Sequence, residues 1–309
     1  MMSHRIVSLI ASATEIVCAL GFESSLVGRS HECDYPRTIG HIPICSSSKI
    51  MTKSSSAEID DQVRTIVKDG LSVYKVDSIL LDEISPSVII TQTQCDVCAV
   101  SLSDVEKAVC ELVSLAPAIV SLAPMSLSDI WTDIQSIADA LGDSDSGREL
   151  VSSLQSRLES LRTRTQEIPH RPTIACIEWT DPLMIAANWV PELVDCAGGV
   201  SLLGKSGNHS EYLSLDELAA SAPEVIAVMP CGFDIDRSLR EMKSLTSSPQ
   251  WNNLPAVRNG RVYVTDGNQY FNRPGPREEE SAQIYTECLH PGCFDFGHRG
   301  TGWIPWRPD

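Results

Sequence analysis

Two short stretches of the chain combine residue types that can hold a metal ion. Cys95 and Cys98 have the spacing at which two thiolates reach one Zn²⁺ ion or one iron of an iron–sulfur cluster, and a redox-active thiol pair has the same spacing. His31 and Cys33 add an imidazole and a thiol to the candidate ligands. We predict that Cys33, Cys95 and Cys98 bind a metal, with His31 as an optional fourth ligand. The alternative interpretation of both stretches is a surface loop that binds nothing.

Other residues suit an organic ligand better than a bare ion. Trp179 and Trp189 offer flat aromatic faces to a planar macrocycle, although tryptophans at these positions serve equally well in a core. Glu178 can bind a metal or an amide, and the stretch 270–277 combines aromatic rings with two guanidinium groups that suit a carboxylate or a phosphate. We predict that the ligand contacts come from Ser12, His31, Tyr35, Glu178, Trp179, Trp189, Phe233, Phe271, Asn272 and Arg273.

Short apolar segments precede most of these candidates and are typical of buried parallel strands. They are rich in Val and Ile, lack polar alternation and lie at 5–10, 25–30, 87–91, 118–122, 173–178, 224–229 and 261–265. Helical patterns separate them, and this alternation indicates an α/β protein. Ligands of open α/β sheets bind outside the carboxyl ends of the strands, so we expect the candidate residues to face one cleft.

Helix starts are marked by two candidate capping boxes. In this motif a Ser side chain accepts from the backbone N–H three residues later, while a Glu at that position reaches back. Ser12 with Glu15 and Ser146 with Glu149 have the required spacing. We therefore predict that helices begin at Ser12 and Ser146.

The segment 146–167 predicts one long helix that connects two halves of the chain. Its apolar stripe consists of Leu150, Leu154, Leu158 and Leu161. Segment 81–90 resembles segment 215–228, because each predicts a short helix, a proline and a buried strand. We predict an N-terminal lobe of residues 1–142, a connecting helix over 143–169 and a C-terminal lobe of 170–309.

The composition argues against several classes of partner. The 309 residues include 24 Lys and Arg against 41 Asp and Glu, which gives a net charge of −17 and argues against nucleic acids and anionic membranes. No apolar stretch approaches the roughly 18 residues of a membrane-spanning helix. The 11 cysteines are an odd number, and their spacing does not suggest a disulfide framework. The apolar run near the N-terminus is shorter than an export signal requires, so we expect a cytoplasmic protein with reduced thiols.

Three runs of sequence resemble the cobalamin- and siderophore-binding group of substrate-binding proteins, the helical-backbone metal receptors. They are Arg-Ile-Val-Ser-Leu-Ile-Ala-Ser-Ala-Thr-Glu-Ile-Val-Cys-Ala-Leu-Gly at 5–21, Leu-Val-Gly-Arg-Ser-His-Glu-Cys-Asp-Tyr-Pro at 26–36 and Phe-Asn-Arg-Pro-Gly-Pro-Arg at 271–277. The resemblance implies an α/β fold of two Rossmann-like lobes with parallel sheets, joined by one long backbone helix, as in class III periplasmic binding proteins. It also implies a shallow cleft between the lobes and a vitamin B12-like or other metal-bearing ligand.

We therefore predict that the protein binds a corrinoid such as cobalamin, or another metal-bearing organic compound, in the cleft. The alternative is a cytoplasmic enzyme or sensor that uses a Cys-ligated zinc or iron–sulfur centre in the same cleft. Without an export signal we do not expect an ABC transporter permease as partner. No catalytic residue is predicted.

Overall fold

The computed structural model describes residues 4–68, 73–93, 105–106 and 117–308. The chain divides into two compact units. The first unit comprises residues 1–54, 58–124 and 128–153, and the second comprises 55–57, 125–127 and 154–309. The division falls within the longest described helix, Ser144–Gln166, whose Leu154, Leu158 and Leu161 are buried.

The main sheet of the first unit is parallel. The strands of this unit are β1 (Ile6–Ser8), β2 (Leu26–Arg29), β3 (Ser46–Ser48), β4 (Tyr74–Val76), β5 (Val88–Gln92) and β6 (Ala118–Leu122). The sheet has the order β2-β1-β5-β6 with every neighbouring pair parallel, while β3 and β4 form a separate antiparallel pair. Ile6 and Val7 on β1 and Ile89 on β5 are fully buried, as expected for parallel strands that are covered on both faces.

Helices follow the strands of the first unit. They are α1 (Ala11–Ala19), α2 (Ser56–Lys68), α3 (Ser78–Ile84) and α4 (Leu127–Ala140), and α5 (Ser144–Gln166) comes next along the chain. Helix α1 leaves the carboxyl end of β1 after only two residues, so its first turn lies at the edge of the sheet where ligands of such folds bind.

The second unit has a mixed sheet whose centre is parallel. Its strands are β7 (Thr173–Thr180), β8 (Leu183–Ile185), β9 (Val200–Ser201), β10 (Glu211–Tyr212), β11 (Val225–Val228), β12 (Val262–Thr265) and β13 (Trp303–Pro305). The order is β10-β8-β7-β11-β12-β13, with β9 paired to β7. Strands β7, β11 and β12 are parallel, whereas β8 and β13 join them antiparallel.

Short helices cover the sheet of the second unit. They are α6 (Val190–Cys196), α7 (Leu215–Ser221), α8 (Ile235–Glu241), α9 (Lys243–Thr246), α10 (Pro249–Asn253), α11 (Pro255–Arg258) and α12 (Glu278–Leu289). Trp251 on α10 is fully buried in the core beneath the sheet, where Ile226 of β11 and Val264 of β12 also lie. The core therefore fixes the parallel strands whose carboxyl ends carry the candidate residues.

The internal similarity detected in the sequence corresponds to a repeated structural element. Helix α3 begins after Asp77, whose side chain accepts from a backbone N–H, and ends at Ser85 with a φ of 53°. Helix α7 begins after Ser214, which forms a complete capping box, and ends at Ala222 with a φ of 46°. A parallel strand follows each helix, β5 in one case and β11 in the other. Both units therefore use the same helix–left-handed residue–strand connection.

Both predicted capping boxes are wrong. Helix α1 begins at Ala11 after Ile10, which makes no side-chain cap, so Ser12 lies inside the first turn. Helix α5 begins at Ser144, and the carboxylate of Asp143 accepts from the backbone N–H of Ser146 at 3.2 Å. Asp143 therefore supplies the hydrogen-bond acceptor at the helix terminus, the role that the sequence had assigned to Ser146.

The α/β class with parallel sheets is confirmed, and each predicted apolar segment overlaps an observed strand. The sequence did not predict β3 in the serine-rich stretch, its partner β4, or the short strands β8, β9, β10 and β13. Among the helices that the structure describes, none combines the length and apolarity needed to span a bilayer.

One carboxyl group in the first unit is placed to titrate near neutral pH. Asp133 on α4 accepts a hydrogen bond from the backbone N–H of Ala123, and its Oδ2 is buried without a hydrogen-bond partner in the described part of the chain. Burial raises the pKa of Asp133 to about 7, against the lowering effect of the Ala123 hydrogen bond.

Replacing Asp133 with Asn is expected to stabilise the protein above pH 7. Between about pH 4 and pH 7 the folded state keeps the Asp133 proton while the unfolded state has lost it, so the free energy of unfolding falls as pH rises through this window. An amide does not ionise, so Asp133→Asn removes this fall. We expect its free energy of unfolding to exceed that of the wild type by about 2 kcal/mol at pH 8. Denaturant unfolding at pH 4.5 and pH 8 measures this difference for the wild type, for Asp133→Asn and for the exposed control Glu149→Gln. An equal pH dependence in the wild type and Asp133→Asn would contradict the assignment.

Candidate functional site

A cluster of small polar side chains lies at the carboxyl ends of β1 and β2 in the first unit. The Oγ1 of Thr14 on α1 lies 2.8 Å from Ser8 Oγ and 3.0 Å from the Sγ of Cys33. The backbone N–H of Ser30 donates to the carbonyl of Ser8 at 2.8 Å, and that of Cys33 donates to the carbonyl of Ser30. The Cys33 thiol is therefore buried among hydroxyl groups beside the start of α1.

His31 lies beside this cluster. Its Nδ1 is 2.9 Å from the Oγ of Ser46 on β3, and its ring packs against Tyr74 on β4 with ring centroids 5.5 Å apart. Burial lowers the pKa of His31, which favours the neutral imidazole. Its Nε2 is buried and has no hydrogen-bond partner among the residues that the structure describes.

The remaining candidates of the first unit differ in exposure. Ser12 is 1% exposed, and its Oγ has no hydrogen-bond partner within the described ranges, whereas Tyr35 is 40% exposed. Cys95 and Cys98 lie outside the described residues. No group of three or more His, Cys, Asp or Glu side chains that could hold a metal ion occurs in the described part of the chain. The predicted four-ligand metal site thus stays a prediction.

Glu178 lies near the carboxyl end of β7 in the second unit. Ser210 donates to Glu178 Oε2 at 2.5 Å and accepts from the backbone N–H of Ala187 at 3.1 Å. Burial raises the pKa of Glu178, and the Ser210 hydrogen bond opposes this rise only in part. A carboxyl group in this environment takes up a proton more readily than an exposed one, and in that form it can both donate and accept hydrogen bonds.

Trp179, the residue after Glu178 on β7, forms an aromatic pair with Phe233. Their ring centroids are 5.0 Å apart, and the guanidinium of Arg237 lies 4.5 Å from the centre of the Phe233 ring. The indole N–H of Trp179 donates to the carbonyl of Ser56, a residue that groups with the second unit, at 3.2 Å. These contacts fix the orientation of a half-buried tryptophan at the end of β7.

Asn272 connects the loops that follow β11 and β12. Its Nδ2 donates to the carbonyl of Met229 at 3.1 Å and to the carbonyl of Gly267 at 3.0 Å. Nearby, Nη2 of the buried Arg273 donates to the Oδ1 of Asn268 at 3.0 Å. Asn272 therefore joins the two loops at the carboxyl edge of the sheet, and Arg273 contacts a side chain of the loop after β12.

Trp189 and Phe271 lie inside the second unit. Phe271 is 1% exposed, and its ring packs against Tyr285 with ring centroids 4.8 Å apart. The indole N–H of the buried Trp189 donates to the Phe271 carbonyl at 3.0 Å. The geometry gives both rings a packing role, and their predicted contact with a ligand stays a prediction.

The sequence missed the hydroxyl partners of the two central candidates. Ser210 holds Glu178, and Ser46 holds His31. Neither serine stands in a motif with its partner, because each pair is brought together by separate loops and strands. Serine is too common in this chain for its type alone to have indicated a site.

A comparison with protein families decides the identity of the fold. The family model described as "Periplasmic binding protein" matches residues 75–269, which is more than half of the chain. The chain belongs to the periplasmic binding protein family. This member of the family therefore binds a small-molecule ligand, as the sequence predicted.

Known proteins resemble this periplasmic binding protein over most of its length. The vitamin B12-binding protein of Vibrio vulnificus strain CMCP6 is 22% identical over 275 residues, which cover 89% of this chain and 85% of the relative. The structure of the apo periplasmic heme-binding protein of Roseiflexus sp. RS-1 has a TM-score of 0.67 and 22% identity, covering 93% of this chain and 98% of its own. The structure of the periplasmic vitamin B12-binding protein of Vibrio cholerae has a TM-score of 0.64 and 19% identity, covering 93% of this chain and 96% of its own. These likenesses confirm the predicted fold class.

Proposed function

We propose that this protein binds a corrinoid. The observation that carries the proposal is the aromatic pair of Trp179 and Phe233 near the carboxyl end of β7, the strand that also carries Glu178. A corrinoid is a flat cobalt macrocycle whose rim bears amide side chains. The aromatic pair suits its apolar surface, and the carboxyl group suits its amides.

Glu178 supplies a polar group at this end of β7. Its carboxyl oxygens can accept hydrogen bonds from the amide N–H groups on the rim of a corrinoid. The similarity to proteins named for vitamin B12 binding over most of their length supports the same ligand class.

Direct binding tests the proposal. Aquocobalamin, hemin and ferric citrate are each titrated into the purified protein by calorimetry, and we expect aquocobalamin to bind with a dissociation constant in the micromolar range or below. Glu178→Ala should weaken this binding about tenfold, about 1.4 kcal/mol, while Glu178→Gln should retain most of it because the amide keeps an oxygen that accepts hydrogen bonds. Glu211→Ala, on the exposed strand β10, is the control.

One result would overturn the proposed ligand class, and a second would overturn the role given to Glu178. One is tight binding of hemin or ferric citrate together with no detectable binding of aquocobalamin. The other is equal affinity of the wild type and Glu178→Ala for aquocobalamin, which would remove the carboxyl group from the site.

The alternative function as a metal-dependent enzyme or sensor has no support in the described part of the chain, where no group of three metal-binding side chains occurs. The cytoplasmic location also stays a prediction.

A further inference from the structure

The hydrogen bonds of Ser210 are fixed in direction by the groups on either side of it. The backbone N–H of Ala187 can only donate, and it donates to the Oγ of Ser210 at 3.1 Å. An ionised carboxylate can only accept, so the Ser210 hydroxyl donates its hydrogen to Oε2 of Glu178 at 2.5 Å. Ser210 therefore holds one oxygen of the ionised Glu178 and has no further hydrogen with which to bind a ligand.

The loop that carries Ser210 is tied to the segment around β8 on both sides of this serine. After Ser210 the chain forms β10, which pairs with β8. Before it, the carbonyl of Asn208 accepts from the backbone N–H of Asn188 at 2.9 Å. At Gly204 the loop lies so close to this segment that a Cβ atom would be 2.0 Å from the Ala186 carbonyl oxygen. Backbone contacts within the second unit therefore set the position of the carboxyl oxygen that Ser210 holds.

The other carboxyl oxygen of Glu178, Oε1, remains for a ligand. No described residue other than Ser210 donates a hydrogen bond to this carboxyl group. The Glu178 side chain is only partly buried, and it is followed on β7 by Trp179, whose ring pairs with that of Phe233. An ionised carboxylate oxygen accepts from a donor and repels a second carboxylate. This arrangement can distinguish an amide from a carboxylic acid on a ligand.

We propose that Oε1 of Glu178 selects corrinoids with an amide at the contacted rim position over corrinoids with a carboxylic acid there. The inference rests on the corrinoid binding proposed above and deepens it. A rim amide donates an N–H to Oε1, whereas an ionised rim acid has no hydrogen to donate and brings a second negative charge next to Glu178. The selected ligand is therefore the product of rim amidation, and its acidic precursors bind more weakly.

Cyanocobalamin and its monocarboxylic acids test this selection. These probes share the cobalt and both axial groups, and they differ in one rim propionamide, which is a carboxylic acid in the b, d and e derivatives. Because burial raises the pKa of Glu178, the probes are titrated into the wild type by calorimetry at pH 8.5, where the carboxylate form is favoured. We expect at least one of the acids to bind about tenfold more weakly than cyanocobalamin.

Glu178→Gln should remove this discrimination without abolishing binding. The new amide can turn its oxygen toward the Ser210 hydroxyl and its NH₂ group toward the ligand, where that group donates to a rim amide carbonyl or to a rim carboxylate. We expect the difference between cyanocobalamin and the rejected acid to fall to about twofold or less. Glu211→Gln, which neutralises an exposed carboxylate on β10, is the matched control and should keep the wild-type difference.

The outcomes separate this inference from the function on which it rests. If the wild type binds neither cyanocobalamin nor any of its acids, the proposed function fails and the inference fails with it. If the wild type binds all of these probes with equal affinity, the function stands and the selection by Glu178 is wrong. An acid that the wild type and Glu178→Gln reject to the same degree would also overturn the inference, because the discrimination would then come from another group.

Ser210→Ala tests whether this serine positions the carboxylate. We expect it to weaken cyanocobalamin binding about fivefold in the wild type and to have no further effect in Glu178→Ala, because no carboxylate is left to position. His209→Ala, which changes the exposed neighbour on the same loop, is the control. An equal loss in both backgrounds would show that Ser210 acts independently of Glu178 and would contradict the positioning role.

Discussion

Gly267→Ala is expected to lower the free energy of unfolding by about 3 kcal/mol. A Cβ atom at Gly267 would lie 2.2 Å from the Pro230 carbonyl oxygen and 2.7 Å from the Met229 carbonyl oxygen. Both are backbone atoms, so rotation of a side chain cannot relieve the contact. The loops that follow β11 and β12 would have to separate, and the Asn272 hydrogen bonds that join them would lengthen.

The same variant tests whether these loops matter for binding. If they position the ligand contacts, Gly267→Ala should weaken aquocobalamin binding at least tenfold under conditions in which the variant remains folded. Gly40→Ala is the control, because a Cβ there meets no atom within 4 Å. Urea unfolding followed by circular dichroism measures the stabilities. A Gly267→Ala variant as stable as Gly40→Ala would contradict the close approach of the two loops.

Phe271→Ala is expected to lower the free energy of unfolding by about 3 to 5 kcal/mol, because it removes a fully buried ring and leaves a cavity beside Tyr285. Phe271→Leu retains most of the apolar volume and should lower it by only about 1 kcal/mol. Thermal and urea unfolding measure both effects. Tyr212→Ala, at a half-exposed position on β10, should change stability by less than about 0.5 kcal/mol.

The leucine variant also decides what the ring does for the ligand. If Phe271 only packs in the core, Phe271→Leu keeps the wild-type affinity for aquocobalamin. A tenfold loss of affinity at nearly unchanged stability would show that the ring contacts the ligand, as the sequence alone predicted. The structure favours the first outcome, since the ring is 1% exposed.

Elements that depend on a local pattern were predictable from the sequence. The apolar run that became β1 and the one that became β11 need only continuous Val, Ile and Ala residues, because both faces of a parallel strand are buried. The leucine stripe of α5 likewise reflects the helical period. The strands of two or three residues, such as β9 and β10, are too short to carry any period and exist only because a neighbouring strand pairs with them.

Helix termini show the limit of motif matching. Ser12 has the spacing of a capping residue, but the chain turns into α1 at Ala11, directly after the strand that precedes it. At the start of α5 it is Asp143, not Ser146, that accepts from a free backbone N–H, because its carboxylate lies 3.2 Å from the nitrogen of Ser146. A capping motif states which hydrogen bonds are possible, and the packing of the helix on its sheet selects among them.

The sequence by itself determined the α/β class, the strands that build both units and the general location of candidate residues at the ends of those strands. Only the tertiary structure decided what each side chain does. It paired Glu178 with Ser210 and His31 with Ser46, and it buried the ring of Phe271. The physical reason is range: burial periodicity is written in neighbouring residues, whereas hydrogen-bond partners, desolvation and ring packing depend on segments that meet only after the chain has folded.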